Sequence, residues 1–132
     1  MDNTYQWYQV LEKPFFAPPS WAFGLAWGII YPLIAIAFIF LIIGVAKKRI
    51  PQKLFWLLII NMIGNFIFSP IQFGLQNNVL AMIDILLIIT TLAIFEIKIW
   101  KYSKVIFWLL IPYLLWGAFA TVLQISITFL NL

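Results

Sequence analysis

Apolar residues dominate this chain in four long runs that are separated by short polar stretches. The runs cover residues 21–45, 54–73, 79–100 and 105–130, and each is close to the ~20 residues that a helix needs to cross a bilayer. Backbone groups cannot stay unpaired in hydrocarbon, so a helix is the expected form of each run. The pattern predicts an all-α, polytopic transmembrane bundle with four spans in a single domain.

Prolines precede the first run and also lie inside the first, second and fourth runs. Pro18 and Pro19 suit a helix start, because the first turn has no intrahelical use for its N–H groups. Residues 1–20 precede the first span and are rich in proline and aromatic residues, so we predict an external lid loop there. Inside the runs, kinked or loosened helices are expected at three further prolines: Pro32, Pro70 and Pro112.

The composition supports the membrane assignment and limits the kinds of catalytic and metal-binding site that the chain can form. Only 9% of the residues are charged and 65% are hydrophobic, whereas soluble domains carry about a quarter charged residues. The apolar surface must therefore face lipid. The sequence contains no cysteine and no histidine, so we predict no disulfide, no metal site and no histidine-based catalysis, and no required cofactor.

Positive charge is concentrated in two of the polar stretches. Residues 46–53 carry four basic side chains and residues 98–104 carry three, whereas residues 74–78 carry none. The positive-inside rule then predicts a multi-pass protein of the cell membrane with both basic loops in the cytoplasm and both termini outside. This placement explains the net charge without nucleic acid as a partner. Glu96 lies beside Lys98 at the inner interface and is expected to be a solvated or paired charge.

Six of the seven tryptophans lie in the predicted spans, and they divide into two groups by depth. At helical rise, Trp27 lies about 9 Å below Trp21, and Trp116 lies about 12 Å past Trp108, so neither can anchor a helix at the headgroups. Each of these two side chains either faces lipid, packs in the core of the bundle or forms a wall of a pocket. Interfacial anchoring is the expected role of four others: Trp21, Trp56, Trp100 and Trp108.

The neighbours of the two deep tryptophans favour an interior position. Trp27 shares a helical face with Gly24, Gly28 and Tyr31, and the Gly24–Gly28 pair is of the kind that lets helices approach closely. Trp116 is grouped at spacings of three and four with Tyr113 and Ala120. Another pair of small residues, Gly117 and Thr121, lies on the same span.

A polar stripe follows one face of the second span. Asn61, Asn65, Ser69 and Gln72 recur at helical spacing, and Asp84 lies near the outer end of the third span, with Thr91 two turns further on. Such groups serve either as interhelical hydrogen-bond links or as the polar side of a cavity. We favour a cavity that faces outward, whose aromatic walls would suit a flat, large and mostly apolar ligand.

Several stretches resemble the TspO/translocator-protein family of tryptophan-rich sensory proteins. They are WYQVLEKPFFAPPSWAFGLAWGIIY (7–31), NMIGNFIFSPIQF (61–73), the helix with Asp84, LLIPYLLWGAFATVL (109–123) and the terminal LN. The resemblance implies binding of porphyrins such as protoporphyrin IX and haem, of sterols in some members, and of benzodiazepine-type ligands. It also implies a homodimer.

The resemblance assigns residues to a lid and a pocket. It places in the lid Trp7, Tyr8, Pro14, Pro18 and Pro19. It places in the pocket Trp27, Trp116, Asn61, Asn65 and Asp84. Helical spacing adds Tyr31, Tyr113 and Ala120 to the predicted pocket. Two departures stand out. The family has a span before the lid loop, which we expect this chain to lack, and Val122 replaces a tyrosine that is linked to sterol binding in some members.

These features predict an integral membrane receptor or carrier for a tetrapyrrole or a similar flat ligand, with lipid as its surroundings. One alternative is a light-dependent porphyrin-degrading enzyme in which Trp27 or Trp116 takes part in photo-oxidation. Another is a small four-span drug exporter. That class needs a titratable carboxylate deep in its first span, and residues 21–45 contain none.

Overall fold

The structure is a computed structural model that describes residues 16–131, apart from the side chains of Ser20, Ser69, Gln72 and Phe73. The predicted lid residues Trp7, Tyr8 and Pro14 lie outside the described residues. The described chain contains helices and connecting turns and no strand. In order these are α1 (Ser20–Ala46), α2 (Gln52–Ser69), a π-helical turn (Pro70–Gly74), α3 (Asn78–Ile99), α4 (Lys104–Leu109) and α5 (Ile111–Leu130).

Three of these helices, α1, α3 and α5, are long and apolar enough to cross a membrane. The apolar part of α2 is shorter, Gln52–Phe68, and the π-helical turn extends the same segment to Gly74. The predicted fold class, an all-α polytopic membrane bundle, is therefore confirmed. The protein is a multi-pass membrane protein.

Prolines act in four different ways on these helices. Pro19 immediately precedes α1, as predicted, and Pro32 lies within that helix without interrupting it. Pro70 begins the π-helical turn. Pro112 is the second residue of α5, just after a break at Leu110. Because Pro112 has no N–H, the helical hydrogen bond to the carbonyl four residues earlier cannot form, and the predicted span 105–130 is divided into α4 and α5.

Helix α3 lies at the centre of the bundle and packs most extensively against α2 and α5. Its buried face includes Ile88, Leu92 and Phe95. In contrast, α1 contacts its neighbours less and has 28% of its most apolar window buried, against 44% for α3. Helix α1 is therefore the least buried of the three longest helices.

Close helix contacts depend on glycines that differ in part from those predicted. A Cβ added to Gly64 on α2 would lie 3.2 Å from side-chain atoms of Leu87 and Ile88 on α3, and one on Gly117 of α5 would lie 3.4 Å from Ile89 Cδ1. Gly24 and Gly28 have nothing within 4 Å of such an atom. The expected close approach at Gly24–Gly28 is thus wrong within the described chain, because the larger side chain of Trp27, and not the two glycines, makes the contact with α5.

Candidate functional site

An aromatic cluster joins the N-terminal halves of α1 and α5. The Trp27 ring stacks on Tyr31 with centroids 4.9 Å apart, and it lies 6.2 Å from the Tyr113 ring across the helix interface. Trp116 meets Phe23 of α1 edge to face at 5.7 Å. Trp27 and Trp116 are both partly buried and pack against the hydrophobic core. This partly buried position agrees with the prediction from their helical neighbours.

The cluster continues towards the start of the described chain through Phe119. This ring lies 5.5 Å from Trp116 and 6.1 Å from Phe16. Phe16 belongs to the segment that precedes α1, so the end of the predicted lid packs on α5. Ala120, the next residue, also packs against the core. Sequence reasoning missed Phe23 and Phe119, although both lie one helical turn from a deep tryptophan.

A continuous set of hydrogen bonds runs behind the aromatic rings, and we call it the amide–phenol chain: Tyr31, Asn65, Tyr113, Asn61 and Thr91. The Tyr31 hydroxyl donates to Asn65 Oδ1 over 3.0 Å, and Asn65 Nδ2 donates to the Tyr113 hydroxyl over 3.0 Å. The Tyr113 hydroxyl donates to Asn61 Oδ1 over 2.6 Å. Asn61 Nδ2 then donates to Thr91 Oγ1 over 2.9 Å. These bonds connect α1, α2, α5 and α3.

The two ends of this chain differ in access. Asn61 is fully buried, and its Nδ2 also donates to the Ile88 carbonyl over 2.7 Å, so both of its polar atoms are used within the bundle. Tyr31 is 39% exposed and stands at the open end, next to Trp27. Asn61 therefore links helices, and its predicted contact with a ligand stays a prediction, as does that of Asn65.

The sequence as a whole matches the TspO/MBR family over residues 1–130. The chain belongs to the TspO/MBR family. It is 38% identical over 131 residues to the tryptophan-rich protein TspO of Bacillus cereus, covering 99% of this chain and 83% of that protein. It is 37% identical over 132 residues to TspO of Archaeoglobus fulgidus, covering 95% and 80%. The human translocator protein is 30% identical over 123 residues, covering 90% and 71%.

The stretches that carry the TspO/MBR resemblance meet in space at the candidate site. Residues 7–31 supply Trp27 and Tyr31, residues 61–73 supply Asn61 and Asn65, and residues 109–123 supply Tyr113, Trp116 and Ala120. The hydrogen bonds and ring contacts described above join these three stretches. The predicted polar residues Ser69 and Gln72 have side chains outside the described part.

Asp84, the predicted polar residue of the third span, is buried at the α2–α3 contact. Its Oδ1 would lie 3.5 Å from a Cβ on Gly64, and its Oδ2 is buried without a hydrogen-bond partner in the described structure. A buried polar atom of this kind costs free energy unless a partner reaches it. Asp84 is therefore a polar group on the α2 side of α3 that this TspO/MBR chain holds largely out of contact with water.

Glu96 overturns the prediction of a solvated or paired charge. The residue is only 2% exposed, and both carboxylate oxygens are buried without a hydrogen-bond partner in the part of the chain that the structure describes. On α3, Glu96 comes four residues after Leu92 and three before Ile99, which are both fully buried. Lys98 lies on another face and is exposed. Helical register, and not the neighbouring lysine in the sequence, decides its surroundings.

The four tryptophans expected as interfacial anchors are all exposed. Trp21, near the start of α1, has 70% of its surface accessible. At the opposite end of the bundle, Lys104 Nζ lies 4.6 Å from the centroid of the Trp100 ring, close enough for a cation–π contact. Indoles exposed at both ends of the spans fit the interfacial role. The other two members of the group are Trp56 and Trp108.

Proposed function

We propose that this TspO/MBR protein is an integral membrane receptor or carrier that binds tetrapyrroles such as protoporphyrin IX and haem, or similar flat ligands. The observation that carries the proposal is the aromatic cluster between α1 and α5, which contains Trp27, Tyr31, Tyr113 and Trp116. Relatives of the chain bear the names tryptophan-rich sensory protein and translocator protein, which supports a sensory or transport role.

Two features favour the binding of a flat ligand: the ring surfaces of the aromatic cluster and the sparse contacts of helix α1. Offset-stacked and edge-to-face contacts favour planar aromatic ligands, and Tyr31 adds a hydroxyl at the open end of the cluster. Helix α1 contacts α2 and α5 only sparsely, so a ligand that enters between α1 and α5 displaces few contacts. The sequence has no histidine and no cysteine, so tyrosine and methionine are the side chains that remain as possible axial ligands of haem iron.

A titration of the purified protein with protoporphyrin IX tests the proposal, with binding followed by tryptophan quenching and by porphyrin absorbance. Trp27→Phe and Trp116→Phe should each weaken the affinity about three- to tenfold, the range expected for one aromatic contact. Trp56→Phe and Trp100→Phe are matched controls at exposed positions and should bind as the wild type does. Equal losses at all four positions would argue against the pocket.

Illumination of the complex separates the receptor from the enzyme alternative. A porphyrin spectrum that stays unchanged under light supports binding alone. A new bilin-like spectrum that is lost in Trp27→Phe or Trp116→Phe supports light-dependent porphyrin breakdown by these tryptophans.

We further propose that the segment before α1 covers the bound ligand. The contact of Phe16 with Phe119 supports this role, and Pro18 and Pro19 restrict the backbone, which lowers the entropy lost on closing. Replacing both prolines with alanine should raise the porphyrin off-rate several-fold while helix content by circular dichroism stays the same. An unchanged off-rate would remove the lid from the proposal. The homodimer and the outward orientation of both termini remain predictions.

A further inference from the structure

The basic end of the bundle carries more positive charge than the acidic side chains of the described residues neutralise. Seven of the eight lysine and arginine residues lie in or beside the α1–α2 and α3–α4 loops. The described residues include two acidic side chains, Asp84 and Glu96, and both are buried. Asp84 lies near the opposite end of α3, and the Glu96 oxygens contact no donor in the described part. The basic side chains there therefore lack a carboxylate partner within the described residues.

The α1–α2 loop holds its basic side chains on a fixed backbone. The N–H groups of Arg49 and Ile50 both donate to the Gly44 carbonyl, over 2.8 and 3.2 Å, and Lys48 has a φ of 60°, which is typical of a helix C-terminus closed by a left-handed residue. The buried Ile50 side chain covers Gly44 so closely that a Cβ there would overlap it. This packing fixes the direction in which Lys48 and Arg49 leave the loop.

These side chains line a cleft between the two basic loops. Its volume is about 460 Å³, and it is bounded on the α1–α2 side by Lys48, Arg49 and Gln52 and on the other side by Tyr102 of the α3–α4 loop. Val45 contributes an apolar surface where the cleft meets α1. The cleft thus combines two cations, a phenol and an amide with an apolar base. That combination matches an anionic headgroup whose acyl chains continue along an apolar helix.

The surrounding indoles place the cleft at the level of lipid headgroups. Trp56, Trp100 and Trp108 are exposed on the helices that adjoin the same two loops, and tryptophan is enriched at the membrane–water interface. In the turn of α1 that precedes Val45, Ile42 and Ile43 add exposed apolar side chains. A soluble anion would use the charges and leave this apolar surface without a role.

We propose that this cleft is a binding site for the phosphate headgroup of an anionic membrane phospholipid. Arg49 and Lys48 contact the phosphate oxygens, as charge-assisted donors do in such sites. The Tyr102 hydroxyl donates a further hydrogen bond, and the acyl chains lie against α1 beside Val45. The site is at the opposite end of α1 from the aromatic cluster, so it is independent of the tetrapyrrole proposal.

The test compares lipid retention by the full chain in native mass spectrometry, with phosphatidylglycerol as the anionic probe and phosphatidylcholine as the neutral one. The wild type should retain one phosphatidylglycerol in preference to phosphatidylcholine. The Lys48→Gln/Arg49→Gln pair should lower the apparent affinity for phosphatidylglycerol about tenfold or more, as expected when two basic contacts are lost. Arg49→Gln alone should give a smaller loss in the same direction.

The matched control removes the same charge outside the cleft. Lys53→Gln/Lys98→Gln should lower phosphatidylglycerol affinity no more than two- to threefold, and circular dichroism should show equal helix content in all variants. Equal losses in both pairs would mean general attraction by the basic end, and the cleft assignment would fall. Inorganic phosphate at millimolar concentration should not displace the lipid. Full displacement would reassign the site to a free anion and overturn the proposal.

Discussion

Two of the polar regions inside the bundle differ in how far their hydrogen-bonding capacity is met. In the amide–phenol chain, both polar atoms of Asn61 have partners on neighbouring helices. Near the basic end, neither carboxylate oxygen of Glu96 has one in the described structure. A buried polar group stabilises a bundle when its partner is positioned by another helix, and otherwise it costs the free energy of leaving water. The same helix, α3, takes part in both situations.

Breaking the hydrogen bonds of the amide–phenol chain should have the largest effect on stability. Asn61→Leu removes three interhelical hydrogen bonds and leaves the Tyr113 hydroxyl without its acceptor. At about 0.6 kcal/mol for each bond, and with one buried donor left unpaired, the free energy of unfolding should fall by roughly 2 kcal/mol. Denaturation in mixed micelles, followed by circular dichroism, measures it. Thr90→Val, on the exposed side of α3 beside Thr91, should change little. A similar loss in both variants would refute the special role of Asn61.

Removing the buried Glu96 carboxyl should instead raise the free energy of unfolding. Glu96→Leu replaces a buried carboxyl that has no described donor with an apolar side chain, so the free energy of unfolding should rise by about 1–2 kcal/mol in the same assay. Glu96→Gln keeps the shape and the polarity without the charge and should fall between the wild type and the leucine variant. A loss of stability in Glu96→Leu would mean that the carboxyl has a partner.

The α2–α3 contact beside the amide–phenol chain can be tested by comparing substitutions at two glycines. Gly64→Ala brings a methyl group to within 3.2 Å of Leu87 and Ile88, which should lower stability by about 1 kcal/mol through overpacking at the α2–α3 interface. Gly28→Ala meets no atom within 4 Å. Because alanine is a better helix former than glycine, it should be neutral or stabilising by up to about 1 kcal/mol. Equal effects would show that the interface tolerates the methyl group.

The open end of the amide–phenol chain should be the least sensitive. Tyr31→Phe removes one hydrogen bond from a partly exposed hydroxyl and keeps the ring on Trp27, so a loss of about 0.5 kcal/mol is expected. Tyr113→Phe removes two bonds from a buried hydroxyl and should cost about twice as much. Thermal unfolding of the two variants side by side gives the ratio. A larger loss in Tyr31→Phe would reverse the assigned order of the two ends.

The helix positions were predictable because basic and turn-forming residues end each apolar run. The first predicted span, 21–45, corresponds to Ser20–Ala46, and the third, 79–100, corresponds to Asn78–Ile99. The division of the last span at Leu110 was less visible. A proline in a membrane helix can be absorbed, as Pro32 is, or can end the helix, and the sequence around it does not distinguish these outcomes.

The orientation of each helix about its axis was predictable only where a tryptophan or a polar side chain interrupts the apolar surface. Tryptophans at non-interfacial depth and amides at helical spacing indicated the interior correctly for Trp27, Trp116 and Asn61. Lipid-facing and core-facing surfaces of a span are both apolar, so most positions carry no such signal. For this reason Gly24 and Gly28 were assigned to a contact that Gly64 makes instead.

The connection of Tyr113 to two asparagines has a consequence for biosynthesis. Helices emerge from the ribosome in chain order, and α5, which carries Tyr113, is the last of the helices that the structure describes. Helix α1 is apolar on nearly all sides, so it can enter the bilayer without a partner helix. Asn61 and Asn65, in contrast, can form their hydrogen bonds with the Tyr113 hydroxyl only after α5 has been made. Until then, the nascent bundle holds incompletely paired amides at membrane depth. A chain that is truncated before α5 would remain in that state and offer cellular quality control a signal for degradation.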